Sequence, residues 1–168
     1  MSIEALKNGN CNTRSNAKKF GLCDDPLPGN TPAYIDEEHG ENWVAVVNNE
    51  LRYEVVFTAL DHCVASKTSD NSDAKRCDGV LTYENTVIFV ELKDREPRSN
   101  KWVIRGEIQL RSSIVQMEKL DLLDDFKIKK AYIANRQHPQ FKSSQKNRMN
   151  KFISETGCVL RIENRIML

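Results

Sequence analysis

The segment Thr86–Leu92, TVIFVEL, constrains the fold more than any other part of the chain. Successive side chains of a strand point to opposite faces, so Val87 and Phe89 share one face and Ile88, Val90 and Leu92 the other. A strand that is apolar on both faces belongs in the middle of a sheet covered on both sides. DGVLTY precedes it, and Glu84-Asn85 is a fitting two-residue loop, so the two runs read as a hairpin. In that register Tyr83 faces Thr86, Val80 faces Phe89 and Asp78 faces Glu91. A three-residue loop would shift the pairing by one position but keep both acids at the same end of the sheet. Lys93 lies two residues beyond Glu91 and so shares its face.

The flanking sequence completes an α/β pattern. Residues 1–40 are rich in Pro, Gly and turn-forming residues and read as an irregular arm, with Leu22, Tyr34 and Ile35 as anchors. NWVAVVNNELRYEVVFTALDHC reads as two strands around an NNE turn, followed by the polar loop VASKTSDNSDAKR. RGEIQLRSSIVQMEKLDLLDDF is the best helix. Ile108, Val115 and Leu122 recur at heptad spacing, and Leu110, Ile114 and Met117 widen the apolar stripe. KKAYIANR reads as a strand, SSQKNRMNKFISETG as a helix closed by Gly157, and CVLRIENRIML as a last strand. Antiparallel strands come first, and strand–helix–strand crossovers add the later ones.

Composition sets the remaining bounds. A chain of 168 residues with 39 % hydrophobic residues suits one core. A net charge of +1 selects no partner in bulk. No apolar run is long enough for a membrane span and the start lacks a signal-peptide core, so a cytoplasmic protein with no membrane partner is expected. Cys11, Cys23, Cys63, Cys77 and Cys158 are widely spaced without a C-x-x-C pair, and free thiols are expected. His62, in DHC, reads as an ordinary strand-end histidine rather than a ligand, and His39 and His138 carry no motif.

Charge is uneven along the chain. Eight acids and one base fall between Asp24 and Glu54. Eight bases and no acid fall between Lys127 and Lys151: Lys127, Lys129, Lys130, Arg136, Lys142, Lys146, Arg148 and Lys151. That basic segment is either a surface for nucleic-acid phosphates or a solvated helix face.

Two carboxylates facing each other across a hairpin repel. A divalent cation removes the penalty, and Mg²⁺ is commonly held by one or two carboxylates together with waters and substrate phosphate. A lysine beside them can orient or deprotonate water and stabilise the charge that develops on a phosphoryl group. The bland alternative is a charged strand end with ordinary turn chemistry at Asp78-Gly79.

Asp78, followed after twelve residues by Glu91-Leu92-Lys93 at the end of an apolar strand that leads towards an amphipathic helix, resembles the PD-(D/E)XK nuclease superfamily. The resemblance spans about residues 43–168 by order of elements, and three or four residues carry it closely. It implies a restriction-endonuclease-like fold over residues 41–168, with a central mixed sheet flanked by helices. It also implies metal-dependent hydrolysis of nucleic-acid phosphodiesters. Asp78 and Glu91 would bind Mg²⁺ or Mn²⁺, Lys93 would position or activate water, and Gln109 matches the glutamine that many members carry on the following helix. Gln109, Ser113 and Gln116 form a polar stripe there. Cys77 stands where the motif has proline, and strands stand where members begin with a helix that may supply a further acid. Glu41, Glu50, Glu54 and Asp61 are candidates for that acid.

The expectation is therefore a small Mg²⁺-dependent nuclease, with DNA favoured over RNA as substrate. A partner protein would deliver the substrate or a homodimer would supply the two sites needed to cut both strands, and the setting would be defence or mobile-element biology. The alternatives are a non-catalytic binding or assembly subunit on the same fold and an interaction protein whose acidic Asp24–Glu54 arm masks a basic surface.

Overall fold

A computed structural model of the protein describes residues 9–26, 31–63, 75–94, 99–137 and 145–168. The fold is α/β in three layers. Strands β1 (Asn12–Ser15), β5 (Val55–Ala59), β6 (Gly79–Tyr83), β7 (Thr86–Lys93), β8 (Ile128–Asn135) and β9 (Val159–Ile162) form a mixed six-stranded sheet in the order β1-β5-β6-β7-β8-β9. Pairing is antiparallel from β1 to β7 and parallel from β7 to β9. Helices α1 (Lys101–Glu118) and α2 (Lys146–Thr156) make the two parallel crossovers and pack on one face. The other face is covered by a second sheet of β2 (Lys19–Cys23), β3 (Tyr34–Asp36), β4 (Ala45–Asn48) and β10 (Arg165–Met167), in the order β10-β4-β2-β3.

The hairpin has the expected register: Tyr83 pairs with Thr86, Val80 with Phe89 and Gly79 with Val90. Glu84, in its two-residue loop, takes a positive φ of 46°. The two faces of β7 part as the alternation requires. Val87 and Phe89 enter the core under the helices, whereas Ile88, Val90 and Leu92 enter the core between the sheets. Phe89 is fully buried, and truncating it to alanine would cost about 3–5 kcal/mol.

Three expectations need correction. The N-terminal segment is not irregular, because β1, β2 and β3 lie within it and a short 3-10 turn (Gly40–Asn42) begins at its end. Its residues are turn-rich because its strands are short, and Leu22 is indeed buried. The NNE turn does not join paired strands, since β4 and β5 belong to different sheets. On α1 the apolar stripe that packs inward is not the heptad one. Trp102, Val103, Leu110, Ile114 and Met117 are buried, but Ile108 and Val115 are 48 % and 43 % exposed. The inward face also holds Gly106, Glu107 and Ser113, which hydropathy alone assigns to the outside.

The thiol expectation fails for two of the five cysteines. Cys11 and Cys63 form a disulfide, while Cys23, Cys77 and Cys158 are free and buried. The cause is the pairing of β1 with β5, which brings together the chain before one strand and the chain after the other. A sequence separation of 52 residues carries no hint of this contact.

Candidate active site

The charged end of β7 lies beneath α1. Glu91 is 1 % exposed. A Cβ at Gly106 of α1 would stand 3.3 Å from Glu91 Cγ and 3.1 Å from Ile133 Cγ2. Gly106 therefore lets the helix close over the carboxylate, and a Cβ there would require the Glu91 and Ile133 side chains to yield by a few tenths of an ångström.

Lys93 and Gln109 connect the strand to the helix. Lys93 Nζ donates to Glu91 Oε1 and also to Gln109 Oε1, the latter at 3.1 Å. Gln109 Nε2 donates to the Arg76 carbonyl at 2.9 Å. Both ends of the Gln109 amide are thus used, and its orientation is fixed. Ser113 is fully buried and its Oγ accepts the Cys77 N–H at 2.9 Å. Gln116 bonds Ser112 on its own helix. Of the polar stripe, Gln109 thus faces the site, Ser113 anchors the strand that leads into it, and Gln116 does neither.

Asp78 is held by backbone. Its Oδ2 accepts the Leu92 N–H at 2.5 Å, and its carbonyl accepts the Leu60 N–H at 2.9 Å. The bond to Leu92 reaches across the hairpin to the residue between Glu91 and Lys93. The two acids and the lysine meet at one sheet end, as the register arithmetic requires.

Electrostatics mark the same place. Burial, and next the Asp24 carboxylate, push Asp78 up to about 7, against the opposing effects of the Leu92 N–H and Lys93. Burial, and next Asp78, hold Glu91 well above the usual carboxylate range, although Lys93 opposes this. Asp24 is itself raised, chiefly by burial, with Lys93 acting to lower it. Asp24, the residue after β2, and Asp61, the second residue after β5, therefore bear on the site from both sheets. Of the four acids considered for a further role, Asp61 is the one whose field reaches Asp78 and Glu91. Glu41 and Glu50 are exposed, and Glu54 accepts a bond from Asn16. Asp24 was not anticipated. Its only signal is its place directly after the apolar strand KFGLC, and the acidic run that it opens hides that signal. His62 follows Asp61 and pairs with it at 3.2 Å. His39 pairs with Asp36 at the same distance, and His138 lies outside the described residues.

The donor set suits a hard divalent cation. Glu91 Oε2 is buried and has no hydrogen-bond partner among the described residues. Leaving a buried polar atom unpaired costs about 1–3 kcal/mol, and a cation would remove that cost. Among the described residues no group of three or more His, Cys, Asp or Glu is arranged to hold a metal ion. Mg²⁺ needs no more than one or two carboxylates when waters and substrate phosphate complete its shell.

The described residues of the basic segment do not form one surface. Lys129 and Lys130 sit beside Val87 and Ile88, at the end of β7 away from Lys93, and Lys127 precedes them. Arg136 lies at the site end but is bound to Asp94 and to the Glu41 carbonyl. Arg148 pairs with Glu107 and so ties α2 to α1. Lys151 lies 3.9 Å from Glu155, Lys146 is exposed at the start of α2, and Lys142 lies outside the described residues. Among the described residues no ion pair joins the acids of residues 24–54 to the bases of residues 127–151.

Comparison with known proteins finds no family model, curated protein or solved structure that matches the chain. No helix among the described residues is long and apolar enough to cross a membrane.

Proposed function

We propose that the protein is a divalent-metal-dependent nuclease of the PD-(D/E)XK kind that hydrolyses phosphodiester bonds of nucleic acid, with DNA favoured over RNA. The observation that carries this reading is the buried, unpartnered Glu91 Oε2 beside Asp78, with Lys93 bonded to both Glu91 and Gln109. Asp78 and Glu91 would hold Mg²⁺ or Mn²⁺. The ion would supply charge that polarises the phosphoryl oxygen and balances the negative charge developing on it.

The residues of the chain supply the rest. Glu91 and Gln109 fix the Lys93 ammonium at the mouth of the carboxylate pair, where it can orient the attacking water and accept its proton once its own proton is lost. While protonated, it stabilises negative charge on the reacting phosphate. Gln109 is a positioning residue, because it ties Lys93 to the backbone of Arg76 in the segment that leads into β6. Burial by α1 excludes water from the inner side of the pair and strengthens each of these interactions.

The test pairs two measurements. Parent protein should cleave single- or double-stranded DNA, or RNA, with Mg²⁺ or Mn²⁺, and should take up Mn²⁺ in a calorimetric titration with an affinity that Asp78→Asn lowers at least tenfold. Mn²⁺ uptake without any cleavage would point to a non-catalytic subunit on this fold. Absence of both would sink the proposal. A cytoplasmic setting, a homodimer or partner protein, and a role in defence or mobile-element biology belong to the same proposal. The Cys11–Cys63 bridge bears on the first, because disulfides are rare in a reducing cytosol. A count of free thiols on acid-trapped protein decides it.

A further inference from the structure

Beside the carboxylate pair, Lys75, Arg105, Ile108 and Gln109 line a cleft of about 400 Å³. We infer that this cleft is a phosphate subsite, which takes the phosphodiester and sugar next to the scissile position on the nucleic-acid strand being cut. The inference rests on the nuclease reading and adds where the strand lies.

Four observations carry it. First, Lys75 and Arg105 are exposed, and among the described residues neither is held in an ion pair. By contrast Arg111 is paired with Glu107 and Glu155, Arg148 with Glu107, and Arg136 with Asp94. Two unneutralised cations facing one cleft are stable without a ligand only because water solvates them, and an anion gains from both. Second, Arg105 and Gln109 are four residues apart on α1 and so lie on the same face about 6 Å apart along the axis. Gln109 bonds Lys93, which puts Arg105 one helical turn away from the reacting position. Third, the opposite wall is fixed, because Gln109 Nε2 holds the carbonyl of Arg76, the residue after Lys75. Fourth, Ile108 lines the same cleft, is 48 % exposed and gives an apolar wall for a sugar face. Cations, an amide and an apolar wall match a phosphate with its sugar, and such backbone contacts position a strand without reading its sequence.

The experiment measures binding of a single-stranded DNA 12-mer in EDTA, where cleavage is blocked, across a range of salt concentrations. Each phosphate neutralised on a single strand adds about 0.7 to the slope of log affinity against log salt. Lys75→Ala/Arg105→Ala should lower that slope by about 1.4 and weaken binding about 25-fold at 0.1 M salt. Lys129→Ala/Lys130→Ala, at the far end of β7 and β8, should leave the slope unchanged. Both pairs of changes are at the surface or strand start, and melting curves confirm folding. If the parent binds Mn²⁺ and the 12-mer but the cleft variant keeps the parental slope, the subsite is refuted and the nuclease reading stands. If the parent binds Mn²⁺ but no oligonucleotide, both fail. An equal loss of slope in the far-end variant would also overturn the subsite, since the charge effect would then be diffuse.

Discussion

Asp78 Oδ2 accepts the Leu92 N–H at 2.5 Å, so the carboxylate is anchored by the strand that carries Glu91 and Lys93. This bond needs an acceptor oxygen but no charge. Asp78→Asn keeps the acceptor and removes the negative charge. Mn²⁺ affinity should fall by at least tenfold in a calorimetric titration. The metal-free protein should melt at the same temperature or up to roughly 2–4 °C higher, the shift that goes with about 1 kcal/mol in a chain of this size. A lower melting temperature would mean that the charge on Asp78 is structural.

The raised acids make stability and metal affinity depend on pH in opposite directions. Between the ordinary carboxylate range and about 7, the unfolded chain has released the Asp78 proton and the native protein has not. The native state binds more protons in that window, so metal-free stability falls as pH rises through it. Glu91 is raised too and acts with the same sign. Cation binding needs the deprotonated pair, so Mn²⁺ affinity should climb by up to about tenfold per pH unit below 7 for each proton displaced. Melting curves at several pH values, with and without Mn²⁺, should show the metal-induced gain increasing from pH 5 to pH 8. A gain independent of pH would place the cation elsewhere.

Lys93 is a point charge with a removable proton, and substitutions separate those two properties. Lys93→Ala and Lys93→Gln should lower the cleavage rate by about 10²–10⁴ while Mn²⁺ binding persists. Lys93→Arg keeps the charge but cannot give up its proton at neutral pH. Single-turnover cleavage that recovers in Lys93→Arg would assign an electrostatic role. Cleavage as low as in Lys93→Ala would assign proton transfer. Parental rates in all three would remove Lys93 from the mechanism.

The hairpin was legible because strand alternation and a two-residue loop fix the register without tertiary information. The convergence of Asp78 and Glu91 at one sheet end, the burial of both faces of β7 and the side shared with Lys93 follow from it. The second sheet was legible only in part. β4 and β10 lie in segments that read as strands, but β2 and β3 lie in turn-rich sequence, β3 is three residues long, and nothing local shows that β10 joins β4 from the far end of the chain. The inward face of α1 was misread for a related reason. Gly106, Glu107 and Ser113 are inside because of what they meet, namely Glu91, two arginines and the Cys77 N–H, and no periodicity encodes those partners. The role of Asp24 depends on the second sheet as well, so it emerges only with the fold.

The Cys11–Cys63 disulfide closes a loop of 52 residues that contains β1 to β5, including three of the four strands of the second sheet. In the chain-entropy account a loop of that length stabilises the native state by about 4 kcal/mol, because it restricts the unfolded chain. Cys11→Ser/Cys63→Ser, or reduction with a small thiol, should therefore lower the melting temperature by roughly 8–16 °C. The two treatments should agree, since Cys23, Cys77 and Cys158 have no disulfide to lose. Asp61 stands two residues before Cys63, so the segment that bears it loses one anchor, whereas Asp78, Glu91 and Lys93 are held by the hairpin and α1. Mn²⁺ affinity at temperatures well below the new midpoint should thus stay within about threefold of the parent, a change under 1 kcal/mol. A loss of Mn²⁺ binding without unfolding would show that Asp61, placed by the disulfide, is part of the cation site.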